Sequence, residues 1–376
     1  MPDAAEYPEK SRAAVLPDYG RPVEVWEIDV PPLEPGALLV KVEACTMCGT
    51  DVHIMDGDFK EVGSSHVPLV MGHEIIGRVV ALGEGRETDS LNRPLAVGDR
   101  IAWAYGWCDR CYWCTIAKQP TLCENQRMYG WGPADKHPYL TGGYAEYAYV
   151  MPICKTVKVP EGLDSRVAAS ATCAFRTMIH AYEEAGMIRP SDTVVVQGSG
   201  PVGLYGLAYA IQMGARRVIN IGAPDDRLAI ARSWGADLVL DVFSTSVEER
   251  REAVLELTDG RGADLVVECS GRAAAFEEGI DLIRLGGKYL VVGAAERKPS
   301  PIRATLFNQR QLTILGTISA DVSHYYRALQ FLADHGDRFD FGALLGNTYG
   351  LDQVNDALAS MRAAREPKPV IVPNPA

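Results

Sequence analysis

The sequence predicts an α/β fold in which a doubly wound parallel sheet is inserted into a β-rich domain built from both ends of the chain. Up to about residue 170, short β-branched runs alternate with irregular segments rich in Gly and Pro. From about Ser165, apolar strands alternate with helical stretches, which is the pattern of a parallel sheet covered by helices on both faces. A Gly-rich turn joins one of these strands to a helix, and the last segment returns to a mixed texture.

The composition sets limits on the class of protein. A chain of 376 residues favours two domains over one, and 47% hydrophobic with 23% charged residues is ordinary for a globular protein. The net charge of -12 disfavours binding to nucleic acid or anionic membranes, because the field of the protein repels phosphate. The sequence has no apolar run of about 18 residues for a membrane span and no apolar secretory signal, so we expect a cytoplasmic protein.

The elements follow the predicted fold in order. A helix at 168–185, ended by Pro190, leads from the β-rich part into the alternating part. The strands are predicted at 38–42, 75–80, 194–196, 218–221, 238–240, 265–267 and 289–292, and the other helices at 202–213, 225–234 and 351–362. We therefore place the inserted domain at 171–319 and the β-rich domain at 1–170 and 320–376.

The turn after the strand at 194–196 has the spacing G-x-G-x-x-G, formed by Gly198, Gly200 and Gly203. The first glycine permits a tight turn, the second lets the backbone approach a pyrophosphate, and the third allows close packing of helix on strand. Pro201 and Val202 open the helix, whose N-terminus attracts negative charge. Glycine-rich turns also join strands to helices for structural reasons alone, but this context favours dinucleotide binding.

The second strand departs from the usual dinucleotide pattern. An acidic residue there commonly binds the adenosine ribose, but Gly222 stands at that position. Because Gly222 has no side chain, this position can admit a 2′-phosphate with Arg227 as its partner. Asp225 and Asp226, in contrast, would repel such a phosphate. Arg227 can equally be an exposed helix residue. We expect NAD rather than NADP by a small margin, and we also assign Val292, which ends a later strand, to the cofactor side.

Four of the nine cysteines lie within sixteen residues, in a lobe at about 106–125. They are Cys108, Cys111, Cys114 and Cys123. Four thiolates from one looping segment satisfy tetrahedral zinc, and such a closed site is structural. The alternative is four unrelated buried cysteines, which this density disfavours.

A second set of metal-binding side chains is scattered along the chain. Cys48, His73 and Cys173 provide two sulfurs and one imidazole, the donors of a catalytic zinc that keeps its fourth position open. Glu74 follows the histidine directly. Spacing alone leaves open that each of these residues is structural.

The order of these motifs resembles the zinc-containing medium-chain alcohol dehydrogenases along essentially the whole chain. The chain has C-G-T-D-x-H from Cys48, G-H-E around His73, the four-cysteine lobe and T-C-x-x-x-T around Cys173, all before the glycine turn. The resemblance implies a Rossmann-type domain inserted into a GroES-like catalytic domain. It also implies a catalytic zinc on the three scattered ligands with Glu74 beside it, and a structural zinc on the lobe. Eight residues, rather than the usual seven, separate Cys114 from Cys123, which is a small departure in the lobe.

The resemblance extends to individual residues around the catalytic zinc. Thr50 resembles the hydroxyl that contacts the oxygen of the alcohol, and His53 resembles the histidine that passes the proton to solvent. Asp51 resembles the carboxylate that orients the ligand histidine, as physical reasoning also favours. Thr177 matches a contact to the cofactor, and Lys368 resembles a basic residue near the pyrophosphate. The alternatives for Lys368 and His53 are an exposed surface lysine and an exposed helix histidine.

The implied reaction is transfer of a hydride between an alcohol and NAD or NADP, with two zinc ions per chain. Zinc lowers the pKa of a bound alcohol, and the proton leaves through Thr50 and His53. A zinc-free quinone or enoyl reductase on the same fold is one alternative, although such relatives lack the ligand sets. A non-catalytic nucleotide-binding protein is another.

The substrate and the assembly are less closely defined by the sequence. Aromatic residues are frequent in the first domain and favour a bulky or cyclic secondary alcohol, although they can equally belong to ordinary core packing. They are Trp103, Tyr105, Trp107, Tyr129 and Trp131.

The resemblance implies a homodimer or homotetramer, and the run at 312–318 is a candidate for strand pairing between subunits.

Overall fold

The computed structural model of the chain describes residues 7–60, 66–293 and 299–374. Its strands are β1 Lys10–Leu16, β2 Glu24–Asp29, β3 Leu38–Thr46, β4 Leu69–Val70, β5 Glu74–Leu82, β6 Arg100–Trp103, β7 Tyr147–Val150, β8 Thr156–Lys158, β9 Thr193–Gln197, β10 Arg217–Gly222, β11 Leu238–Asp241, β12 Ala263–Glu268, β13 Ile283–Val291, β14 Thr313–Gly316, β15 Thr348–Tyr349 and β16 Val370–Ile371. Among the described residues, no helix has both the length and the apolar character needed to cross a membrane.

The helices complete the secondary structure. They are α1 Gly49–Asp56, α2 Tyr112–Thr115, α3 Ser165–Ser170, α4 Arg176–Glu184, α5 Pro201–Gln212, α6 Asp225–Ser233, α7 Val247–Leu257, α8 Ala273–Leu282, α9 Thr305–Gln309, α10 Val322–His335 and α11 Val354–Arg362. Short 3-10 turns lie at Pro120–Leu122, Phe341–Leu344 and Leu351–Gln353, and a π-helical turn lies at Ala171–Phe175.

The chain divides into two compact units. Unit 1 contains the described residues of Met1–Cys173, Ala320–His335 and Leu344–Ala376, and unit 2 contains those of Ala174–Ser319 and Gly336–Ala343. The segment at 336–343 thus lies in unit 2, whereas the sequence assigned all of 320–376 to the outer domain. Aromatic packing explains the difference, because Phe339 and Phe341 both lie edge-on to Trp234, a residue of unit 2.

Unit 1 is built on two mainly antiparallel sheets. The larger sheet has the order β15-β16-β3-β5-β6-β8, with β7 also paired to β3, and the smaller one has the order β2-β1-β4. Strand β3 lies at the centre because Leu38, Val40 and Val42 alternate onto one face and are fully buried there. The carboxyl end of β3 leads directly into helix α1, so this sheet positions the first metal-binding motif.

Unit 2 contains one parallel sheet in the order β11-β10-β9-β12-β13-β14. Relative to chain order this is 3-2-1-4-5-6, the order of the doubly wound dinucleotide-binding fold. The central strand β9 is buried along its whole length, as a strand with helices on both faces of its sheet must be. The predicted α/β fold class is confirmed.

The predicted helix at 168–185 is not continuous. Helix α3 ends at Ser170, and the π-helical turn at Ala171–Phe175 separates it from α4. A single-turn π segment of this kind redirects side chains and occurs frequently at functional sites. This one carries Cys173, one of the predicted metal ligands.

Candidate active site and metal centres

The structure brings the scattered metal-binding residues of the sequence together in unit 1. Cys48 caps the N-terminus of α1, His73 and Glu74 lie at the start of β5, and Cys173 lies in the π-helical turn. One potential ligand atom from each of these four residues lies within 4.8 Å of all the others. His73 and Glu74 are buried, whereas the two cysteines remain partly exposed. The donor set of two sulfurs and one imidazole fits Zn²⁺.

Close packing behind His73 depends on two glycines. Gly72 has φ of +88°, and a Cβ there would lie 2.5 Å from the ring of Tyr144. A Cβ on Gly130 would lie 2.9 Å from the carbonyl group of Gly72 and 3.2 Å from Cβ of His73. Both positions therefore exclude side chains, which explains the glycine before the histidine in the G-H-E motif.

A buried carboxylate holds the ligand histidine, as the sequence suggested. Asp51 Oδ1 lies 3.3 Å from Nδ1 of His73, and both side chains are almost fully buried. The other carboxylate oxygen accepts hydrogen bonds from the backbone N–H of Cys48, at 2.9 Å, and from the hydroxyl of Tyr144, at 3.1 Å. Asp51 thus links two of the proposed ligands, an arrangement that orients the imidazole.

The protonation of the ligands follows from burial and close charges. A hydrogen bond from Cys173, opposed by burial, lowers the pKa of Cys48 well below its ordinary value. The same hydrogen bond and burial together raise the pKa of Cys173. Burial lowers the pKa of His73, but the charges of Asp51 and Tyr105 and hydrogen bonds with Asp51 and Cys173 together outweigh it, and the net pKa is raised. Cys48 therefore favours the thiolate, the form in which cysteine binds a metal.

Glu74 forms a buried ion pair with Lys368. Nζ of Lys368 lies 2.8 Å from Oε1 and 2.6 Å from Oε2 of Glu74, and the hydroxyl of Thr46 donates to the same carboxylate. Burial raises the pKa of Glu74 to about 7 although Lys368 opposes the shift. Burial lowers the pKa of Lys368, but the charges of Glu74, Cys48 and Cys173 and the hydrogen bond to Glu74 together outweigh it, and the net pKa is raised. With 2% of its surface exposed, Lys368 is not the solvated lysine that the sequence left open, and its contact with a pyrophosphate stays a prediction.

The four lobe cysteines also converge in unit 1. The sulfurs of Cys108, Cys111, Cys114 and Cys123 all lie within 4.8 Å of one another. Backbone N–H groups of Cys108 and Asn125 donate to the Cys123 sulfur at 3.3 and 3.4 Å. The 3-10 turn at Pro120–Leu122 absorbs part of the eight-residue spacing before Cys123, so the extra residue does not separate the ligands.

The lobe has little apolar core of its own. Tyr112, Ile116 and Leu122 are 60%, 69% and 45% exposed. Backbone hydrogen bonds, first of all from Arg110, lower the pKa of Cys108 to about 6, whereas burial raises the pKa of Cys114 to about 12. A metal held by four sulfurs would replace the missing core as the source of stability, which fits a structural site.

The glycine turn of unit 2 has the geometry that a dinucleotide requires. Gly198 has φ of +110°, and Gly200 caps the N-terminus of α5, with Pro201 and Val202 in its first turn. A Cβ on Gly203 would lie 2.0 Å from the carbonyl oxygen of Gly198, so helix and turn touch there. The N-terminus of a twelve-residue helix thus follows a turn without bulky side chains.

Comparison with known proteins identifies the family. Residues 34–161 match the alcohol dehydrogenase GroES-like domain, and residues 201–334 match the zinc-binding dehydrogenase domain. A 5-exo-hydroxycamphor dehydrogenase from Pseudomonas putida is 35% identical over 371 residues, which cover 96% of this chain and 98% of that protein. The chain belongs to the zinc-dependent medium-chain dehydrogenase family.

Two solved structures support this family assignment. An alcohol dehydrogenase structure from Thermotoga maritima superposes with a TM-score of 0.92 at 34% identity, over 97% of this chain and all of that chain. A Sinorhizobium meliloti 1021 protein solved with bound NADP gives a TM-score of 0.83 at 28% identity, over 97% of this chain and 100% of that one. The predicted GroES-like domain, the zinc-binding family and the oxidoreductase class acting on CH–OH groups are confirmed.

The remaining cofactor residues predicted for the dehydrogenase lie in unit 2. Thr177 lies in the first turn of α4, and Val292 follows β13 with its N–H bonded to the carbonyl of Glu268 at 2.9 Å. Gly222 ends β10 and is buried. Arg227 lies on α6 and is partly buried, which lowers its pKa, so the fully exposed alternative is wrong. Whether these residues contact a cofactor stays a prediction.

His53 has a partner that the sequence analysis missed. Its Nδ1 lies 2.6 Å from Oδ2 of Asp58. Helix α1 ends at Asp56, and the φ of +80° at Gly57, its C-cap, turns the chain back toward the helix, so the carboxylate meets the imidazole. Gly57, four residues after the end of the motif at His53, was the available signal, because glycine in this position commonly ends a helix. Thr50 lies one turn away on α1 and its N–H donates to the Cys48 sulfur at 3.3 Å.

Most of the aromatic residues that suggested a wide substrate pocket belong to the core instead. Trp103, Tyr105, Trp107 and Tyr129 are between 1% and 7% exposed and pack in the main hydrophobic cluster of unit 1. Trp131 is only partly buried, and its ring lies 5.1 Å from that of Phe59, which in turn lies edge-on to His53. Core packing was the alternative that the sequence left open; it holds for four of the five aromatic residues, and contact of Trp131 with substrate stays a prediction.

Proposed function

We propose that the chain is a zinc-dependent dehydrogenase that transfers hydride between an alcohol and NAD or NADP, and in reverse to a ketone or aldehyde. The observation that carries this proposal is the convergence of Cys48, His73 and Cys173 from three separate parts of unit 1. The four-cysteine lobe, also in unit 1, is the site suited to a structural metal. The scattered set, with one ligand fewer and two partly exposed cysteines, is suited to chemistry.

Zinc held by Cys48, His73 and Cys173 supplies Lewis-acid chemistry, which lowers the pKa of a bound alcohol hydroxyl. Asp51 Oδ1 lies 3.3 Å from Nδ1 of His73, so Nε2 would be the ring nitrogen that holds the zinc. The Glu74 carboxylate is neutralised by Lys368, so it adds little net charge to the cluster. Glu74 could become a zinc ligand as well only if its ion pair with Lys368 opened.

The alcohol proton leaves through Thr50 and His53 in this proposal. Asp58 accepts a hydrogen bond from Nδ1 of His53, so Nε2 is the acceptor for the incoming proton. The side chain of His53 is about 30% exposed, which lets it exchange the proton with water.

The dinucleotide binds to unit 2, with its pyrophosphate at the N-terminus of α5. We propose that NAD is preferred over NADP by a small margin. Asp225 and Asp226 lie in the first turn of α6, after the end of β10, where they disfavour a 2′-phosphate. Arg227 follows them and offsets part of this repulsion. A preference for NADP of about tenfold or more would contradict the assignment.

We propose a bulky or cyclic secondary alcohol as the substrate. The aromatic pair Trp131 and Phe59 next to His53 supports it, as does similarity to a dehydrogenase of hydroxycamphor, a cyclic alcohol. A panel of primary, secondary, cyclic and polyol substrates, assayed with both cofactors, tests this proposal. Higher kcat/KM for linear primary alcohols than for cyclic ones would contradict it.

The chain is proposed to form a homodimer or homotetramer in the cytoplasm. Strand β14 lies at the edge of the parallel sheet, and Ile318 just beyond it is 67% exposed. An open edge beside an exposed apolar side chain favours pairing with a second chain. Reducing conditions in the cytoplasm would keep the nine cysteines from forming disulfides and so leave the two clusters able to hold zinc. Light scattering of the purified protein tests the assembly, and a monomer would contradict it.

A zinc assay combined with a dehydrogenase assay tests the proposed function directly. We expect two zinc ions per chain, one for each cysteine cluster, and NAD-dependent oxidation of an alcohol that is lost in Cys48→Ala. Activity that survives complete removal of zinc would instead favour a zinc-free reductase. Dinucleotide binding without any turnover on the substrate panel would favour a non-catalytic nucleotide-binding protein.

A further inference from the structure

Gly222, the last residue of β10, lies against the glycine turn of unit 2. In turns that select NAD, an acidic side chain at the end of this second strand binds the ribose 2′-hydroxyl. A Cβ on Gly222 would lie 2.1 Å from Oγ of Ser199, 2.9 Å from its backbone N and 3.0 Å from its Cβ. Ser199 therefore occupies the space into which such a side chain would extend.

The Ser199 side chain is fixed in this space by a buried hydrogen bond. Its hydroxyl donates to Oδ1 of Asn220 at 2.7 Å, and the two residues are 2% and 0% exposed. The amide group of Asn220 donates in turn to the carbonyls of Val196, at 3.1 Å, and Gly198, at 3.3 Å. Rotation of the hydroxyl away from Gly222 would leave buried polar groups without partners, which is costly. The clash at Gly222 is thus not relieved by a simple side-chain rotation.

We propose that Ser199, held by Asn220, determines cofactor specificity by excluding an acidic side chain from position 222. The proposal rests on dinucleotide binding to this turn, as proposed above. Without a carboxylate at 222, the 2′-hydroxyl of NAD gains no strong acceptor and the 2′-phosphate of NADP meets no charge at that point. Among the described residues that follow β10, Asp225, Asp226 and Arg227 carry the charges that can discriminate. The affinities of the unaltered protein for NAD and NADP therefore differ by less than about tenfold.

Dissociation constants for NAD and NADP, measured by calorimetry on the zinc-loaded protein, test the proposal with four proteins. Gly222→Asp alone should raise both constants by more than about tenfold, because the new side chain displaces the turn. Ser199→Gly alone should weaken NAD and NADP to a similar extent, so that the ratio of the two constants changes by less than about threefold. The double variant Ser199→Gly/Gly222→Asp should recover NAD binding and hold NADP at least about tenfold more weakly than NAD.

A stability measurement keeps the test informative if Gly222→Asp fails to fold. Gly222→Ala adds only a methyl group, which meets the Ser199 hydroxyl and Cβ in the unaltered background but only the backbone N of residue 199, at 2.9 Å, in the Ser199→Gly background. The fall in melting temperature caused by Gly222→Ala should therefore be smaller when Ser199 is glycine. This coupling between the two sites is the signature of direct contact.

Two results would overturn the assignment of Ser199. One is tight and NAD-selective binding by Gly222→Asp alone, which would show that position 222 is open to an acid. The other is an equal loss of melting temperature for Gly222→Ala in both backgrounds. Failure of the unaltered protein to bind either dinucleotide is a different result, which would overturn the proposed function and this inference together.

Discussion

Asp58 holds the imidazole that is proposed to carry the proton, so its removal should slow the reaction. In Asp58→Asn the carboxylate that orients Nδ1 of His53 is lost. We expect kcat to fall by roughly tenfold. Steady-state rates of alcohol oxidation provide the measurement.

Asp56 offers a matched control for this experiment. It is the last residue of α1, two positions before Asp58, and its carboxylate pairs with Arg362 rather than with a histidine. Asp56→Asn should leave kcat unchanged. A kcat for Asp58→Asn equal to that of the unaltered protein would show that Asp58 has no part in proton transfer.

At the scale of residues, the sequence predicted the metal-binding side chains but not the residues that pair with their neighbours. Cys48, His73 and Cys173 could be selected because sulfur and imidazole are the ligands that zinc prefers. The pairing of Lys368 with Glu74 could not, because 294 positions of chain separate the two and only the folded sheet brings them together. Whether a lysine is buried depends on such tertiary contacts rather than on its neighbours in sequence.

The helix that leads to Cys173 begins with an aspartate cap whose contribution should depend on pH. Asp164 accepts hydrogen bonds from the backbone N–H groups of Arg166, at 2.7 Å, and Val167, at 3.4 Å. Asp164→Ala should lower the free energy of unfolding by about 1 kcal/mol at pH 7, whereas Asp164→Asn, which keeps an acceptor, should lose less. Urea denaturation of the three proteins provides the comparison.

The sign of the pH effect follows from the folded-state pKa of Asp164. The hydrogen bond from the Arg166 side chain lowers that pKa, and burial opposes the shift. A group with a depressed pKa stabilises the fold fully above its unfolded pKa of about 3.9 and loses that effect as the pH falls further. The difference between Asp164→Ala and the unaltered protein should therefore shrink below about pH 4. A difference that grows on acidification would contradict the capping role.

The cysteine lobe should depend on its metal for structure. Cys111→Ser removes one of four ligands from a segment whose apolar side chains are exposed, so we expect one zinc fewer per chain and rapid proteolysis within 106–125. The matched control is Cys154→Ser, a buried cysteine outside both clusters. Elemental analysis and limited proteolysis provide the two readouts. Retention of the full zinc content by Cys111→Ser would contradict a four-sulfur site.

At the scale of elements, hydrophobic pattern predicted the parallel strands well and the helix boundaries less well. The run at 194–196 lies within β9 and that at 218–221 within β10, because continuous β-branched residues suit a strand buried on both faces. The helix predicted at 168–185 was interrupted by the π-helical turn around Cys173. Periodicity has no signal for such a turn, since the residues remain helical in composition.

At the scale of the whole molecule, the two units divide the work of the proposed reaction. Unit 1 contains both cysteine clusters, and unit 2 contains the glycine turn. The order of the motifs along the chain allowed this division to be predicted. The segment at 336–343 escaped prediction because its place in unit 2 depends on Phe339 and Phe341 meeting Trp234, more than one hundred positions earlier.

The division between the units gives the most direct test of the zinc mechanism. Zinc content, alcohol-oxidation rate and NAD affinity should be measured together for the unaltered protein, Cys48→Ala and the control Cys154→Ala. We expect Cys48→Ala to lose one zinc and at least about a thousandfold in kcat while NAD affinity changes by less than about threefold. Cys154→Ala should keep both zinc ions and its activity. Full zinc content and unchanged turnover in Cys48→Ala would contradict a catalytic zinc at Cys48, His73 and Cys173.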